Sequence, residues 1–314
     1  MFLICYFVSL SHYVNEHFRI IIKVCYILYN KFVLYNIQYM KLTLISRDLL
    51  YYFANNNYFK HIKQTRETKM ILKKLYEDLS DGFKLINNKK SSLKHNFYNL
   101  QIENITHVSQ IKMPESFPIN AFPDRIRTCI RDNVVSLLLY KIKMFERTID
   151  IYFSIEEDCT RTIINKYNTY VDYMLVWLYI VNLYSSEKCS KHLKIYIYHM
   201  NLIKSLPNTN IEVLGEIHIN TAFTRTCPID SEIVVFRKEE WFKSFIHETF
   251  HNFALDFSDM DMTKCNETIL NIFPVLSEVN LFESYTESWA RIINVLFCSY
   301  INSTQKNKIG RAHV

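Results

Sequence analysis

Glycine is nearly missing from this chain: three in 314 residues, against 22 tyrosines and 22 phenylalanines. Scarce glycine beside abundant Ile, Asn, Lys and Tyr is the mark of an AT-rich genome. Composition therefore reports the source of the gene more than the fold. No CxxC pair occurs among the eight cysteines, which fall at 5, 25, 129, 159, 189, 227, 265 and 298. That scatter argues against a cysteine-ligated zinc site, and it reads as reduced thiols rather than a disulfide framework. No apolar run is long enough to cross a bilayer. The richest, Tyr173 to Ser186, spans 14 residues between Asp172 and Glu187, the length of a helix buried under a sheet. The amino terminus "MFLICYFVSLSHYVN" lacks a basic leading region and a small-residue cleavage site, so it makes a poor secretory signal. Together these absences lead us to expect an intracellular protein without a membrane span.

What is present can fold. Hydrophobic residues make up 49% of the chain and charged ones 22%, enough for a core and too apolar for a disordered polymer. The net charge of +6 is mild. Its lysines and arginines concentrate between Lys60 and Lys94, where acids are interspersed, and the plain reading is a solvated helical face. A nucleic-acid patch is the alternative use of that stretch.

Along the chain, four regions are expected. Residues 1–39 form a doubtful extension, rich in Tyr, Phe, Ile and Cys with little pattern, and Met40 could be the true start. Residues 40–112 read as helix-rich, with "TKMILKKLYEDLSDGFKLI" the clearest periodic piece. Three of the six prolines, at 114, 118 and 123, then mark an extended passage into a domain at 113–308. Residues 309–314, "IGRAHV", match one reading frame of a common sequencing adapter and are set apart as an artefact. Within the domain, strands are expected at 147–155, 192–200, 211–224 and 231–236, and helices at 160–186, 239–256 and 282–300. The fold class is α+β.

The chemistry sits in "WFKSFIHETFHNFALDF", Trp241 to Phe257. On a helix, His247 and His251 lie one above the other and can present two imidazoles to one metal. Glu248 lies one residue round from His247, beside the metal rather than on it, where its carboxylate can take a proton from a bound water. Phe242, Phe245, Ile246, Phe250 and Phe253 supply the apolar face, and neither Pro nor Gly interrupts the helix. Either histidine alone would read as an ordinary helix residue. The HExxH set on a helix just after a β-rich stretch reads as a zinc site.

A catalytic zinc usually has three protein ligands and an open position. The metzincin extension would need Gly three residues after His251 and His or Asp six after. Ala254 and Phe257 stand there, which excludes that class. Asp256 is one residue out of register and reads as a polar residue near the helix end. No later histidine exists before His313, inside the adapter-like tail. The third ligand is then expected to be a carboxylate on the last helix, "LFESYTESWARIINVLF", where Glu283 and Glu287 share a face. Glu287 is favoured because Ala290, one turn on, is small enough for close helix approach; Glu283 reads as surface charge.

HExxH with a glutamate 36 residues after the second histidine resembles the gluzincin arrangement of zincin metallopeptidases. In particular "NTAFT", "IVVFRKEEWFKSFIHETFHNFALDF" and "YTESWARIIN" are similar to uncharacterised zincin-like proteins of large DNA viruses, over roughly residues 120–305. The resemblance implies a twisted mixed sheet over an active-site helix followed by a ligand helix. It also implies an antiparallel edge strand near Ile217 to Thr224 that pairs with extended substrate. It further implies Zn2+ held by His247, His251 and Glu287, with Glu248 as general base in hydrolysis of a peptide or protein substrate. The setting implied is the cytoplasm of an infected host cell or the virion. One departure is that no residue clearly replaces the histidine or tyrosine that steadies the oxyanion; Tyr285 is the nearest candidate. The rival readings are a zincin-like binding protein without turnover and a basic nucleic-acid-binding protein.

Overall fold

Alternating Leu, Ile, Val and Tyr build a six-stranded sheet in the computed structural model. It describes residues 65–92, 97–118, 121–205, 215–257 and 260–311 except position 277, with isolated residues elsewhere. In chain order the elements are α1 (Arg66–Ser92), β1 (Asn99–Asn104), α2 (Asp124–Asn133), β2 (Ser136–Met144), β3 (Arg147–Ile155), α3 (Arg161–Tyr184) and β4 (His192–His199). Then follow α4 (Glu216–Ile219), β5 (Ala222–Thr224), β6 (Asp230–Val235), α5 (Trp241–Asn252), α6 (Thr263–Ile272) and α7 (Leu281–Arg311). Residues 79–259 form one compact unit. The described residues before 79 and after 259 belong to a second, and α1 runs through the boundary.

The strand order is β1-β2-β3-β4-β6-β5. The β3–β4 and β4–β6 pairs are parallel, and the other three are antiparallel. The fold is therefore α+β with a mixed sheet. Central β4 buries Leu193, Ile195, Tyr196, Ile197 and Tyr198, a nearly continuous run that demands cover on both faces. On one face Tyr196, Tyr198, Val234 and Phe236 pack with Ile111, Phe122, Ile126 and Ile130. Period-2 alternation along β6 then separates two polar contacts. The Glu232 carboxylate accepts from the backbone N–H groups of Glu115 and Ser116 at 2.8–3.1 Å, whereas Ser231 turns to the face carrying α5. Burial pushes the Glu232 carboxyl up, but those N–H groups, the Ser116 hydroxyl and Lys194 outweigh it and hold it below its ordinary value.

Gly82 lets the second half of α1 approach α3. A Cβ there would come within 3.0 Å of Val176 Cγ1 and 3.1 Å of Tyr179 Cδ1. Lysines of α1 pair with acids: Lys74 with Asp78 at 2.7 Å, Lys84 with Asp81 at 2.9 Å and Lys90 with Asp172 at 2.5 Å. In the other unit, Tyr76 and Tyr300 meet with ring centroids 5.4 Å apart. No helix among the described residues is long and apolar enough to cross a membrane.

Strands and helices expected at 147–155, 160–186, 192–200, 231–236 and 239–256 form with ends shifted by a few residues. The segment 211–224 is corrected. Glu216–Ile219 is helical and, among the described residues of this stretch, only Ala222–Thr224 is strand, so the antiparallel edge begins well after Ile217. β1 adds a strand to the stretch that reads as helix-rich, and β2 carries no expected element. The last helix continues through Arg311. Of residues 1–39 and 309–314, on which the doubts about the ends fall, all but 309–311 lie outside the described residues.

The cysteines also need correction. Cys189 and Cys227 form a disulfide, Cα atoms 4.5 Å apart and 38 residues apart in sequence, while Cys129, Cys159 and Cys265 are free. Nothing in their spacing discloses the pair. It arises because the loop before β4 and the turn before β6 start neighbouring parallel strands, with His192 opposite Asp230.

Candidate metal centre

Apolar periodicity fixes how α5 seats. Phe245, Ile246, Thr249 and Phe250 are buried, and the helix lies against β5, β6 and α3. Its grip on α3 is directional: Trp177 Nε1 donates to Thr249 Oγ1 at 2.6 Å, and Trp177 stacks on Phe250 with centroids 5.8 Å apart. A buried threonine in mid-helix is satisfied on both sides, since its hydroxyl donates to the Ile246 carbonyl at 2.6 Å. Seated in this way, the helix leaves His247 and His251 half-buried on one face.

The two imidazoles converge. Their Nε2 atoms face each other at 3.1 Å, with ring centroids 4.9 Å apart. At that separation the two imidazoles could hold one divalent metal ion between them. Glu248 follows His247 on the helix and is only 8% exposed.

The helix then ends in a way that completes the pair. Leu255 N donates to the Phe250 carbonyl at 2.8 Å, five residues back, and Ala254 N to the His251 carbonyl at 3.0 Å. This is a Schellman cap with Ala254 in the left-handed region at φ 50°. The reversal carries Asp256 back beneath the helix, where Oδ2 lies 2.5 Å from His251 Nδ1 and the Asp256 side chain is 1% exposed. With Nδ1–H donated to the carboxylate, the Nε2 lone pair of His251 faces His247. That is the tautomer and support a metal-ligating histidine requires.

Asn252, adjacent to His251, is fully buried and spends its whole side-chain amide. Oδ1 accepts from Ser190 Oγ at 2.5 Å and Ser231 Oγ at 2.9 Å; Nδ2 donates to Thr224 Oγ1 at 2.9 Å and the Arg225 carbonyl at 3.2 Å. Its backbone carbonyl accepts from Cys227 N at 3.0 Å. The carboxyl end of α5 is thereby tied to β5, β6 and both loops of the disulfide.

Glu283 and Glu287 stand one turn apart on α7, in the other unit. Glu287 Oε1 accepts from Arg291 Nε at 2.8 Å. Thr286 and Ala290 are fully buried on that helix, and Tyr285 meets Trp289 with centroids 6.3 Å apart. Within residues 79–259 the structure thus brings together His247, His251 and the unforeseen Asp256, with Glu248 on the same helix. The short "HNFALD" spacing could have pointed to Asp256 only if Ala254 had been read as a left-handed cap. Asn252 and the disulfide left no such signal. Compared with family models, curated proteins and solved structures, the chain matches none.

Proposed function

We propose that this chain is a zinc-dependent metallopeptidase of the zincin type, with a gluzincin-like ligand set. One observation carries the reading: two Nε2 atoms 3.1 Å apart at i and i+4, one of them backed by a buried carboxylate on Nδ1. A structural pair of histidines needs no such support. A mixed sheet whose short antiparallel edge strand, β5, lies beside the histidine helix suits the zincin plan. Four of the six lysines of α1, Lys73, Lys74, Lys84 and Lys90, pair with acids, which favours a solvated face over a nucleic-acid patch.

In this proposal His247 and His251 hold the ion, with Glu287, the expected residue, or Glu283 as the third ligand. When bound, zinc supplies a Lewis acid for the scissile carbonyl and acidifies water. Asp256 keeps His251 in the ligand tautomer. Glu248 accepts the proton of the attacking water and passes it to the leaving amine nitrogen as the C–N bond breaks. β5 offers backbone to an extended peptide.

The test is the zinc content of the purified chain, followed by hydrolysis of a mixed peptide library with and without a chelator. One zinc per chain and chelator-sensitive cleavage are expected. Glu248→Gln should keep the metal and lower turnover by roughly two to four orders of magnitude. Zinc titrations of Glu287→Ala and Glu283→Ala identify the third ligand by the larger loss. Zinc without cleavage of any peptide would favour a zincin-like binding protein; no zinc would end the proposal.

A further inference from the structure

The Cys189–Cys227 bridge lies on the same network that holds the histidine helix. Cys227 N donates to the Asn252 carbonyl, and Ser190, next to Cys189, donates through Oγ to the Asn252 amide and through N to the Pro228 carbonyl at 2.7 Å. From Asn252 the backbone passes directly to His251 on one side and through the Ala254 cap to Asp256 on the other. Cys227 and Ser190 both sit in the left-handed region, at φ 50° and 55°. Neither is glycine, so each conformation is strained, and each persists because its surroundings hold it there. Cys189 is fully buried while Cys227 is half-buried, so Cys227 is the more exposed partner of the bridge.

We infer that the Cys189–Cys227 disulfide is a redox latch on the histidine pair. Closed, it clamps Asn252 and with it the turn that sets His251 against Asp256; open, that turn loosens and metal affinity falls. The metal half of this inference rests on the zinc proposal above. In a reducing compartment a protein disulfide is more often a transient sensor than a permanent staple, and the strained residues beside this one favour release.

Opening needs a dithiol reductant. Its thiolate attacks Cys227 Sγ, the S–S bond breaks, and Cys189 leaves as a thiolate that takes up a proton. The second thiol of the reductant then attacks the mixed disulfide. The reductant departs as its own cyclic disulfide, and the Cys227 thiolate is protonated. Two electrons and two protons have passed from the dithiol to the protein.

Two measurements on the full chain decide the matter. The first compares Zn2+ affinity, by chelator competition, between the oxidised chain and a Cys189→Ser/Cys227→Ser variant, which cannot close the bridge and adds no competing thiols. A loss of tenfold or more in a variant with unchanged circular dichroism is expected; equal affinity would overturn the latch. The second measures backbone hydrogen exchange without zinc, in oxidised chain and in chain reduced by a dithiol. Faster exchange confined to residues 250–256, with α3 unchanged, is expected. Unchanged exchange there, or the whole sheet opening together, would overturn the latch even if the serine variant failed to fold. A chain that takes no zinc but shows the local exchange change would defeat the metal proposal and leave the latch standing.

Discussion

The two ends of α5 are built on opposite principles. At its start Trp241 stands among Tyr170, Phe153 and His199, with ring centroids 4.9, 6.1 and 5.9 Å away. His199 is 3% exposed; its Nδ1 lies 2.6 Å from the Tyr167 hydroxyl, and its Nε2 has no hydrogen-bond partner among the described residues. Burial, with the charges of Lys238 and Lys166, drives its pKa down to about 3, so this imidazole stays neutral. At the other end His251 has a carboxylate on one nitrogen and a second imidazole facing the other. Both are histidines near one helix. One fills space in an aromatic cluster and the other has each ring nitrogen assigned, so polar partners rather than burial separate a core histidine from a candidate ligand.

The largest expected effect removes the aromatic end. Trp241→Ala should cost about 3 kcal/mol of stability, seen in chemical denaturation. Zinc affinity of the folded protein should stay within about twofold of the parent, because the lost contacts lie at the opposite end of the helix from His251. A large loss of affinity would mean that the two ends are coupled after all.

Asp256→Asn addresses the polar end in isolation. It keeps size and leaves an oxygen that can accept from Nδ1, but it removes the charge that fixes the tautomer. Zinc affinity should fall by roughly 10- to 100-fold with little change in melting temperature. A reversed pattern would make Asp256 a structural cap and no more.

The third prediction exploits the neutral His199. Its folded pKa of about 3 lies below the ordinary 6.5. Between those values the unfolded chain binds a proton that the folded chain refuses. This contribution to stability is therefore whole above pH 6.5 and is lost as pH falls towards 3, with a slope approaching about 1.4 kcal/mol per pH unit. His199→Gln, which can still meet the Tyr167 hydroxyl, should flatten the denaturation midpoint over pH 6.5 to 4 relative to the parent chain. Parallel curves would show that His199 already titrates in the folded state.

The smallest effect concerns the cap. Ala254→Gly relieves a left-handed residue and should raise stability by up to about 1 kcal/mol, leaving zinc affinity unchanged. Weaker zinc binding would mean that the alanine cap is needed to stiffen the turn that presents Asp256.

Much of the scaffold was legible in the chain itself. "RTIDIYFSI", "HLKIYIYHM" and "SEIVVF" form strands because β-branched and aromatic runs bounded by turn residues bury their apolar side chains at the centre of the mixed sheet. "IEVLGEIHINTAFT" failed as one strand because its alternation is interrupted by Gly215 and a helical turn, leaving three residues to pair with β6. β2 was missed because "SLLLYKIKM" begins as an unbroken apolar run, which periodicity cannot assign to strand or helix.

Sequence by itself determined the helix, its apolar seat and the convergence of His247 and His251, because side chains four apart on a helix are neighbours whatever surrounds them. Tertiary structure alone decided that Asp256 supports His251, that Asn252 ties four segments together, and that Cys189 reaches Cys227. Each of those contacts depends on a backbone reversal or on strand register, and spacing along the chain carries no record of either.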